Sequence, residues 1–172
     1  VLGTSIKTPI SRNLSRGMFP SVAGYDPQIQ FVEEDDVVRC LELVVRDRIP
    51  GVYNVAADGR LPWSEVARIA GAWRLPLPPV FTREAAALLI RLNLLELPPE
   101  LEDLLRYGRG VDTTRLKALG FRFDATSAGT VELFARAVRL NRSVGHHLPS
   151  YTYDSDVEAF FKYSPAVVRH TT

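Results

Sequence analysis

Stretches with apolar residues at helical spacing alternate with short apolar runs along most of the sequence. The spacing predicts helices over 37–47, 62–73, 83–95, 98–106, 113–119 and 126–140. Only about three runs have the β-branched and aromatic residues of strands, at 29–32, 51–56 and 121–123. The pattern predicts an α/β lobe of few short strands with amphipathic helices, and too few strands for a doubly wound sheet.

The remaining segments are predicted from their turn residues. Residues 1–28 are rich in Gly, Pro, Ser and Thr, which favours loops with room for one short helix. Residues 75–80 contain prolines, which lack the N–H that a central strand donates, so we expect an extended connection or edge strand. Trp63, Trp73 and Cys40 are interpreted as packing residues on apolar helix faces.

Four consecutive acids at 33–36 precede the helix predicted over 37–47. Asp35 or Asp36 is predicted to cap that helix by accepting hydrogen bonds from its first N–H groups, near the positive end of the helix dipole. A metal site is disfavoured because no second group of acids or histidines at ligand spacing accompanies these acids. The pair His146 and His147 likewise lacks partners at zinc-ligand spacing.

Composition excludes several classes of function. The formal net charge of +1 argues against general binding to nucleic acid or to an anionic membrane. A single cysteine excludes an intrachain disulfide and suits a reducing compartment, and no apolar run reaches the ~20 residues of a membrane span. We expect a cytoplasmic protein that, because it begins with Val and not Met, is part of a longer chain.

Four segments, taken in order, carry a resemblance to a known family. These are VLGT at the start, FVEEDDVV, GVYNVAADGRLPWSEVARIAG, and LLRYGRGVDTTRLKALGFRFDATSAGTVELF. The last three are similar to F-V-H-x-D-D-V, to G-x-Y-N-[LV]-G-x-G with S-x-x-E-[LV], and to R-x-G-D followed by D-[PT]-S-[KR]-L. Together they resemble the extended short-chain dehydrogenases/reductases, the NAD-dependent sugar-nucleotide epimerase/dehydratase family, in an actinobacterial-type epimerase-like branch.

This resemblance implies that the chain is the C-terminal substrate-binding lobe of such an enzyme, over residues 1–142, with most of the Rossmann half absent. Residues 143–172 are predicted to be an irregular tail with one short helix. The family's G-x-x-G-x-x-G fingerprint has no match in the chain, and no tyrosine has a lysine four residues later. The resemblance therefore implies NAD bound outside this chain and a chain that is catalytically inactive alone.

The resemblance also supplies candidate substrate-binding residues. Arg106 matches the Arg of R-x-G-D, and Arg109 replaces its Asp, so this pair is predicted to hold the diphosphate of a nucleotide sugar. Thr4 and Ser5 are predicted to line the substrate cleft, and Asn54 to bind substrate or hydrogen-bond the adjoining turn. The family's Arg before F-V-H is replaced by Ile29, and its His by Glu33.

Two functions stay open at this point. The first is substrate binding for an epimerase, dehydratase or reductase acting on a nucleotide sugar. The second is a non-catalytic interaction or regulatory module that keeps the fold. The apolar segment 83–95 would supply its interface, and exposed apolar faces predict a homodimer or self-association. The presence of the glycine fingerprint and Tyr-x-x-x-Lys upstream in a full-length chain would distinguish the two.

Overall fold

The computed structural model describes residues 1–80 and 82–144. Within them the helices are α1 Pro9–Arg16, α2 Glu34–Arg46, α3 Trp63–Ala70, α4 Thr82–Arg91, α5 Pro99–Tyr107, α6 Thr114–Ala118 and α7 Ser127–Val144. The strands are β1 Met18–Val22, β2 Gln28–Ile29, β3 Leu61–Pro62 and β4 Trp73–Leu77. The predicted mixed α/β class, with few short strands among helices, is confirmed.

The strands form two small sheets. Strands β1 and β4 are parallel, in a register that pairs Met18 with Trp73 and Val22 with Leu77. Strands β2 and β3 are antiparallel, pairing Gln28 with Pro62. Among the described residues β1 and β4 pair only with each other, so prolines within these two strands remain compatible with pairing.

The segment 1–28 contains more structure than was predicted. Helix α1 begins after Thr8, whose side chain accepts a hydrogen bond from the Ser11 N–H while Ser11 Oγ accepts one from the Thr8 N–H. Strand β1 was missed, because Pro20 and Ser21 interrupt its apolar pattern. Its partner β4 lies about fifty residues away in sequence, and no local pattern encodes such a pairing.

The core of residues 1–139 lies around Trp63. This ring stacks on Phe19 with centroids 4.1 Å apart, and its Nε1–H donates to the Pro20 carbonyl at 2.7 Å. Val66, Leu105 and Val131, from α3, α5 and α7, are fully buried in the same cluster. The predicted packing role of Trp63 is confirmed.

Trp73 is not a core residue, contrary to the prediction. Helix α3 ends at Ala70, and Gly71 follows in the left-handed conformation at φ +65°. Trp73 therefore begins β4 instead of continuing the apolar face of α3, and its side chain is 66% exposed. Cys40 is buried, as expected, and burial raises the pKa of its thiol.

The predicted cap of α2 is wrong. Helix α2 starts at Glu34, so Glu33 occupies the cap position and makes no side-chain capping bond. Asp35 and Asp36 lie inside the first turn, where Asp35 is exposed and Asp36 is buried. The acids still lie at the positive end of the helix dipole, but Asp36 has become part of the core.

Two of the three predicted strands are wrong as well. Residues 51–56 and 121–123 have no strand pairing, and the run 29–32 contributes only Ile29 to β2. Directly after residues 51–56, the Ala57 N–H donates a hydrogen bond to the Phe31 carbonyl at 3.0 Å. Val55 packs against the cluster around Cys40 without a neighbouring strand, and Val52 is exposed, which propensity alone does not reveal.

Helices α5, α6 and α7 follow the predictions closely, whereas α4 ends at Arg91 and not at the predicted residue 95. Helix α5 starts at a proline, and Gly120 follows α6 in the left-handed conformation at φ +86°. Asp112 accepts a hydrogen bond from the Thr114 N–H, although Thr113 occupies the cap position of α6. Thr126 caps α7 by accepting the Gly129 N–H at 3.1 Å.

The chain divides into two compact units, Val1–Arg139 and Leu140–Thr172. Of the second unit the structure describes only residues 140–144, the last turn of α7. The predicted boundary after residue 142 stays a prediction. The predicted helix near the C-terminus and the pair His146 and His147 lie outside the described residues. No helix in residues 1–80 and 82–144 is long and apolar enough to cross a membrane.

Candidate functional site

A groove of about 710 Å³ lies in the first unit, where segments far apart in sequence meet. The start of α1, at residues 8–10, and helix α5 each form part of its wall. Residues 29–32, residues 55–56 and the loop 107–111 line the rest. All four segments that carry the family resemblance therefore contribute to one groove, the first through Val1.

The α5 wall presents alternating acidic and apolar side chains. Glu100, Leu101, Asp103, Leu104 and Tyr107 all line the groove, at the spacing that places residues on one side of a helix. Leu101 is buried beneath them, whereas the Tyr107 ring is 78% exposed. This wall offers two carboxylates that can accept hydrogen bonds and an aromatic face against which a planar or sugar ring can pack.

The loop 107–111 runs beside strand β2. The Arg109 N–H donates to the Gln28 carbonyl at 3.1 Å, and Ile29 and Arg109 form a parallel bridge. Gly108 allows this approach, because it has φ +69° and a Cβ there would lie 2.5 Å from the Gln28 carbonyl oxygen. The backbone of Arg109 is thereby held at the edge of the groove.

Arg109 is the basic side chain among the groove residues that the structure describes. Its exposed side chain lines the groove and makes no hydrogen bond or ion pair with any residue that the structure describes. A guanidinium presents several N–H donors in a planar fork that matches phosphate and carboxylate oxygens. The arrangement can hold an anion at this end of the groove.

Arg106 lies outside the groove. Its guanidinium forms an ion pair with Glu102 on the next turn of α5 at 2.8 Å, and donates to the Pro79 carbonyl at 2.8 Å. These bonds join α5 to the segment after β4. Of the two predicted arginines, Arg109 therefore lines the groove and Arg106 does not. The anion-binding role of Arg106 stays a prediction.

Thr4 and Ser5 contact the second of the four acids and do not line the groove. The Glu34 carboxylate accepts hydrogen bonds from the Thr4 N–H at 3.2 Å and from Ser5 Oγ at 2.5 Å. The same carboxylate lies against Gly3, where a Cβ would be 2.2 Å away. These contacts attach the N-terminal segment to the start of α2, and the substrate contacts of Thr4 and Ser5 stay a prediction.

Asn54 serves as an anchor between two loops. Its Nδ2 donates to the Asp112 carbonyl at 3.0 Å, just beyond the loop 107–111. Asp112 also accepts from the backbone N–H and the hydroxyl of Thr114, and these bonds lower the pKa of its carboxyl. The contact agrees with the structural alternative for Asn54, and its contact with substrate stays a prediction.

Sequence reasoning missed the polar groove residues Gln30, Glu100, Asp103 and Tyr107. Of these residues, Gln30 could have been noticed in the sequence, because it is a polar residue inside the apolar run 29–32. Glu100 and Asp103 are indistinguishable in sequence from solvated helix residues, since their groove is created by packing α5 against distant segments. Among the described residues, no group of three or more His, Cys, Asp or Glu side chains is arranged to hold a metal ion.

Uncharacterized proteins of Mycobacterium tuberculosis and Mycobacterium bovis are similar in sequence to this chain. Each is 36% identical to it over 137 residues, which is 78% of this chain and 35% of the relative. The chain thus spans about a third of the length of these curated relatives. No protein-family model matches the sequence.

Two solved structures are similar in fold. UDP-N-acetylglucosamine 4-epimerase from Bacillus cereus aligns with a TM-score of 0.49 and 16% identity, over 80% of this chain and 43% of that one. UDP-glucose 4-epimerase with UDP-glucose, from Thermotoga maritima, aligns with a TM-score of 0.48 and 17% identity, over 79% of this chain and 39% of that one. Neither likeness bears on what this chain binds.

Proposed function

We propose that this chain is the nucleotide-sugar-binding part of an NAD-dependent epimerase/dehydratase-like enzyme. One observation carries the proposal: the four segments that resemble the family's motifs, far apart in sequence, all contribute residues to the same groove. Loops and strand ends that converge on one concave site are the usual setting of a ligand site.

In this proposal the groove binds the two ends of its ligand differently. Arg109 holds the diphosphate, because it is the basic side chain among the described groove residues and has no bond to another described residue. Glu100 and Asp103 accept hydrogen bonds from sugar hydroxyls on the α5 wall. Fixing both ends positions the sugar carbon for hydride transfer, which is how a binding lobe contributes to rate.

NAD itself is not assigned to this groove. The chain has no match to the glycine fingerprint that lets a backbone approach a dinucleotide pyrophosphate. Glu100 and Asp103 would also repel a second diphosphate placed against α5. We therefore expect the 172-residue chain alone to catalyse no hydride transfer.

Isothermal titration calorimetry of the 172-residue chain with UDP, UDP-glucose and NAD tests the proposal. We expect UDP and UDP-glucose to bind and NAD not to bind. Arg109→Ala should raise the Kd for UDP by about tenfold or more, since a charge-assisted hydrogen bond contributes about 1.5–3 kcal/mol. Arg74→Ala, an exposed arginine of β4 outside the groove, is the matched control and should leave the Kd unchanged.

Two results would contradict this assignment. Failure of the wild-type chain to bind UDP or UDP-glucose would remove the proposed function. Equal affinity of wild type and Arg109→Ala would show that the diphosphate is held elsewhere.

A second candidate, an interaction module, is favoured by the apolar surface of α4 and the residues after it. Leu88, Leu92 and Leu94 are 66%, 58% and 44% exposed. Adjacent exposed leucines are a feature of association surfaces. This candidate predicts a homodimer through α4, which light scattering across a concentration series would detect.

The matched variants are Leu88→Asp on α4 and Leu133→Asp on α7, both changing exposed leucines. We expect Leu88→Asp to abolish the dimer and Leu133→Asp to preserve it. A wild-type chain that stays monomeric at every concentration would exclude the candidate.

A further inference from the structure

Gln30 connects the two segments that flank the middle of the groove. Its Oε1 accepts the Val111 N–H at 2.7 Å, and its Nε2 lies 3.4 Å from the Ala57 carbonyl, to which it donates. Gln30 and Val111 both line the groove, next to Arg109. One side chain thus ties the loop that carries Arg109 to the segment 55–57.

The Val111 N–H bonds to Gln30 just beyond the point where the backbone pairing of the loop with β2 ends. The Arg109 N–H bonds to a backbone carbonyl of β2, but two residues later the Val111 N–H bonds to the side chain of Gln30. The loop departs from β2 between these two residues, so the backbone of β2 does not hold its second half. The length of the Gln30 side chain therefore sets the distance between β2 and this part of the loop.

A carboxamide can make both bonds, whereas a carboxylate or a thioether of similar length cannot. The Val111 N–H requires an acceptor and the Ala57 carbonyl requires a donor, whereas a carboxylate offers acceptors only. Methionine has nearly the same length and shape but offers neither bond in comparable strength. The residue type at position 30 is thus matched to two specific partners on opposite sides.

We propose that Gln30 is a positioning residue, which holds the loop 109–111 so that the Arg109 guanidinium stands over the groove. The anion-binding part of this inference rests on the proposed function. Gln30 acts through Arg109 and does not itself contact the diphosphate. Its removal should therefore weaken ligand binding only when Arg109 is present.

The first test needs no ligand. Amide hydrogen exchange of Val111 is measured by NMR in wild type, Gln30→Met and Gln28→Met. Gln28 is the matched control, since its exposed side chain lies two residues earlier outside the groove. We expect Gln30→Met to accelerate exchange at Val111 by about tenfold, as expected for a lost hydrogen bond, and Gln28→Met to leave it unchanged.

A rescue variant checks that the hydrogen bond itself is responsible. Gln30→Glu retains an acceptor for the Val111 N–H, so protection at Val111 should return toward the wild-type level. Equal exchange at Val111 in wild type and Gln30→Met would overturn the inference, as would equal acceleration by Gln28→Met.

The second test is a double-mutant cycle with UDP as the probe. Gln30→Met should raise the Kd for UDP about fivefold in the wild-type background and less than twofold in the Arg109→Ala background. Equal effects in both backgrounds would overturn the inference, because Gln30 would then act independently of Arg109.

The two proposals fail in different ways. If the wild-type chain does not bind UDP, the proposed function fails, and the exchange measurement alone decides whether Gln30 holds the loop. If UDP binds but Gln30→Met changes neither exchange nor affinity, the proposed function stands and the role of Gln30 fails.

Discussion

The buried carboxylate of Asp36 accepts a hydrogen bond from the guanidinium of Arg39, one turn further along α2. Its Oδ1 lies 2.5 Å from Arg39 Nη2, and it also accepts the backbone N–H of Asp124 at 3.1 Å. Arg39 in turn donates to the Arg122 carbonyl at 2.8 Å. The fourth of the four consecutive acids thus attaches α2 to the segment before α7.

Asp36→Ala should lower the free energy of unfolding by about 2–3 kcal/mol, because it removes hydrogen bonds to a buried charge. Asp35→Ala is the matched control, since Asp35 is the exposed neighbour in the same turn and should change stability by less than about 0.5 kcal/mol. Urea denaturation followed by circular dichroism compares them. Equal losses for the two variants would contradict the core role of Asp36.

Glu33 should make stability fall as pH rises. Burial, and then the nearby carboxylates of Asp35 and Asp36, raise the pKa of Glu33 above its ordinary value of 4.5. The folded chain therefore binds this proton more tightly than the unfolded chain, and stability is lost as pH rises from the unfolded to the folded pKa.

Glu33→Gln removes that titration and should stabilise the chain at pH 7 by about 0.5 kcal/mol, comparable to relief of one like-charge pair. The difference should vanish below about pH 4, where Glu33 is protonated in both states. Thermal unfolding at several pH values measures it. Glu84→Gln in the first turn of α4 is the control, and a gain at pH 7 as large as that of Glu33→Gln would contradict the explanation.

Gly108→Ala should destabilise the chain more than Gly59→Ala. Both glycines have positive φ, +69° and +86°, so each alanine incurs about 1–2 kcal/mol of backbone strain. A Cβ at position 59 meets nothing within 4 Å, whereas at 108 it would lie 2.5 Å from the Gln28 carbonyl oxygen. We expect an additional loss of about 1 kcal/mol or more at 108, and equal losses in denaturation would refute it.

Ser127→Ala should lower the free energy of unfolding, because the buried Ser127 hydroxyl connects the start of α7 to two other segments. Ser127 Oγ accepts the Phe31 N–H at 3.1 Å and lies 2.8 Å from the Gly59 carbonyl oxygen, with which it can bond as a donor. The variant leaves a buried N–H without its acceptor, which costs about 1–3 kcal/mol. Thr126→Ala removes only the exposed cap of α7 and should cost about 1 kcal/mol. A smaller loss for Ser127→Ala than for Thr126→Ala would contradict this role.

Arg106→Ala distinguishes a structural arginine from an anion contact. Loss of its bonds to Glu102 and Pro79 should lower the free energy of unfolding by about 1 kcal/mol. Its effect on the Kd for UDP should be smaller than that of Arg109→Ala, because Arg106 does not line the groove. Calorimetry and denaturation of both variants check the two parts, and a larger rise in Kd for Arg106→Ala would restore Arg106 as the main anion contact.

Local sequence determined the helices α5, α6 and α7 of this protein. Pro99, the glycine after α6 and the cap at Thr126 act within one or two turns, so α5, α6 and α7 could be placed from residue spacing and turn chemistry. The mixed α/β class followed from the same alternation of patterns. The contact of α7 with the core was also predictable, since its apolar face is continuous along the helix.

Only the tertiary structure decided the strands and the groove. Strand β1 forms because β4 lies beside it. Residues 51–56 remain unpaired because no described strand lies beside them, although their composition favours β-structure. In the same way Arg106 and Arg109, three residues apart, differ because Glu102 and Pro79 bind the first, whereas the second lines the groove. Which polar residue is engaged and which is available depends on partners distant in sequence, and those are set by packing.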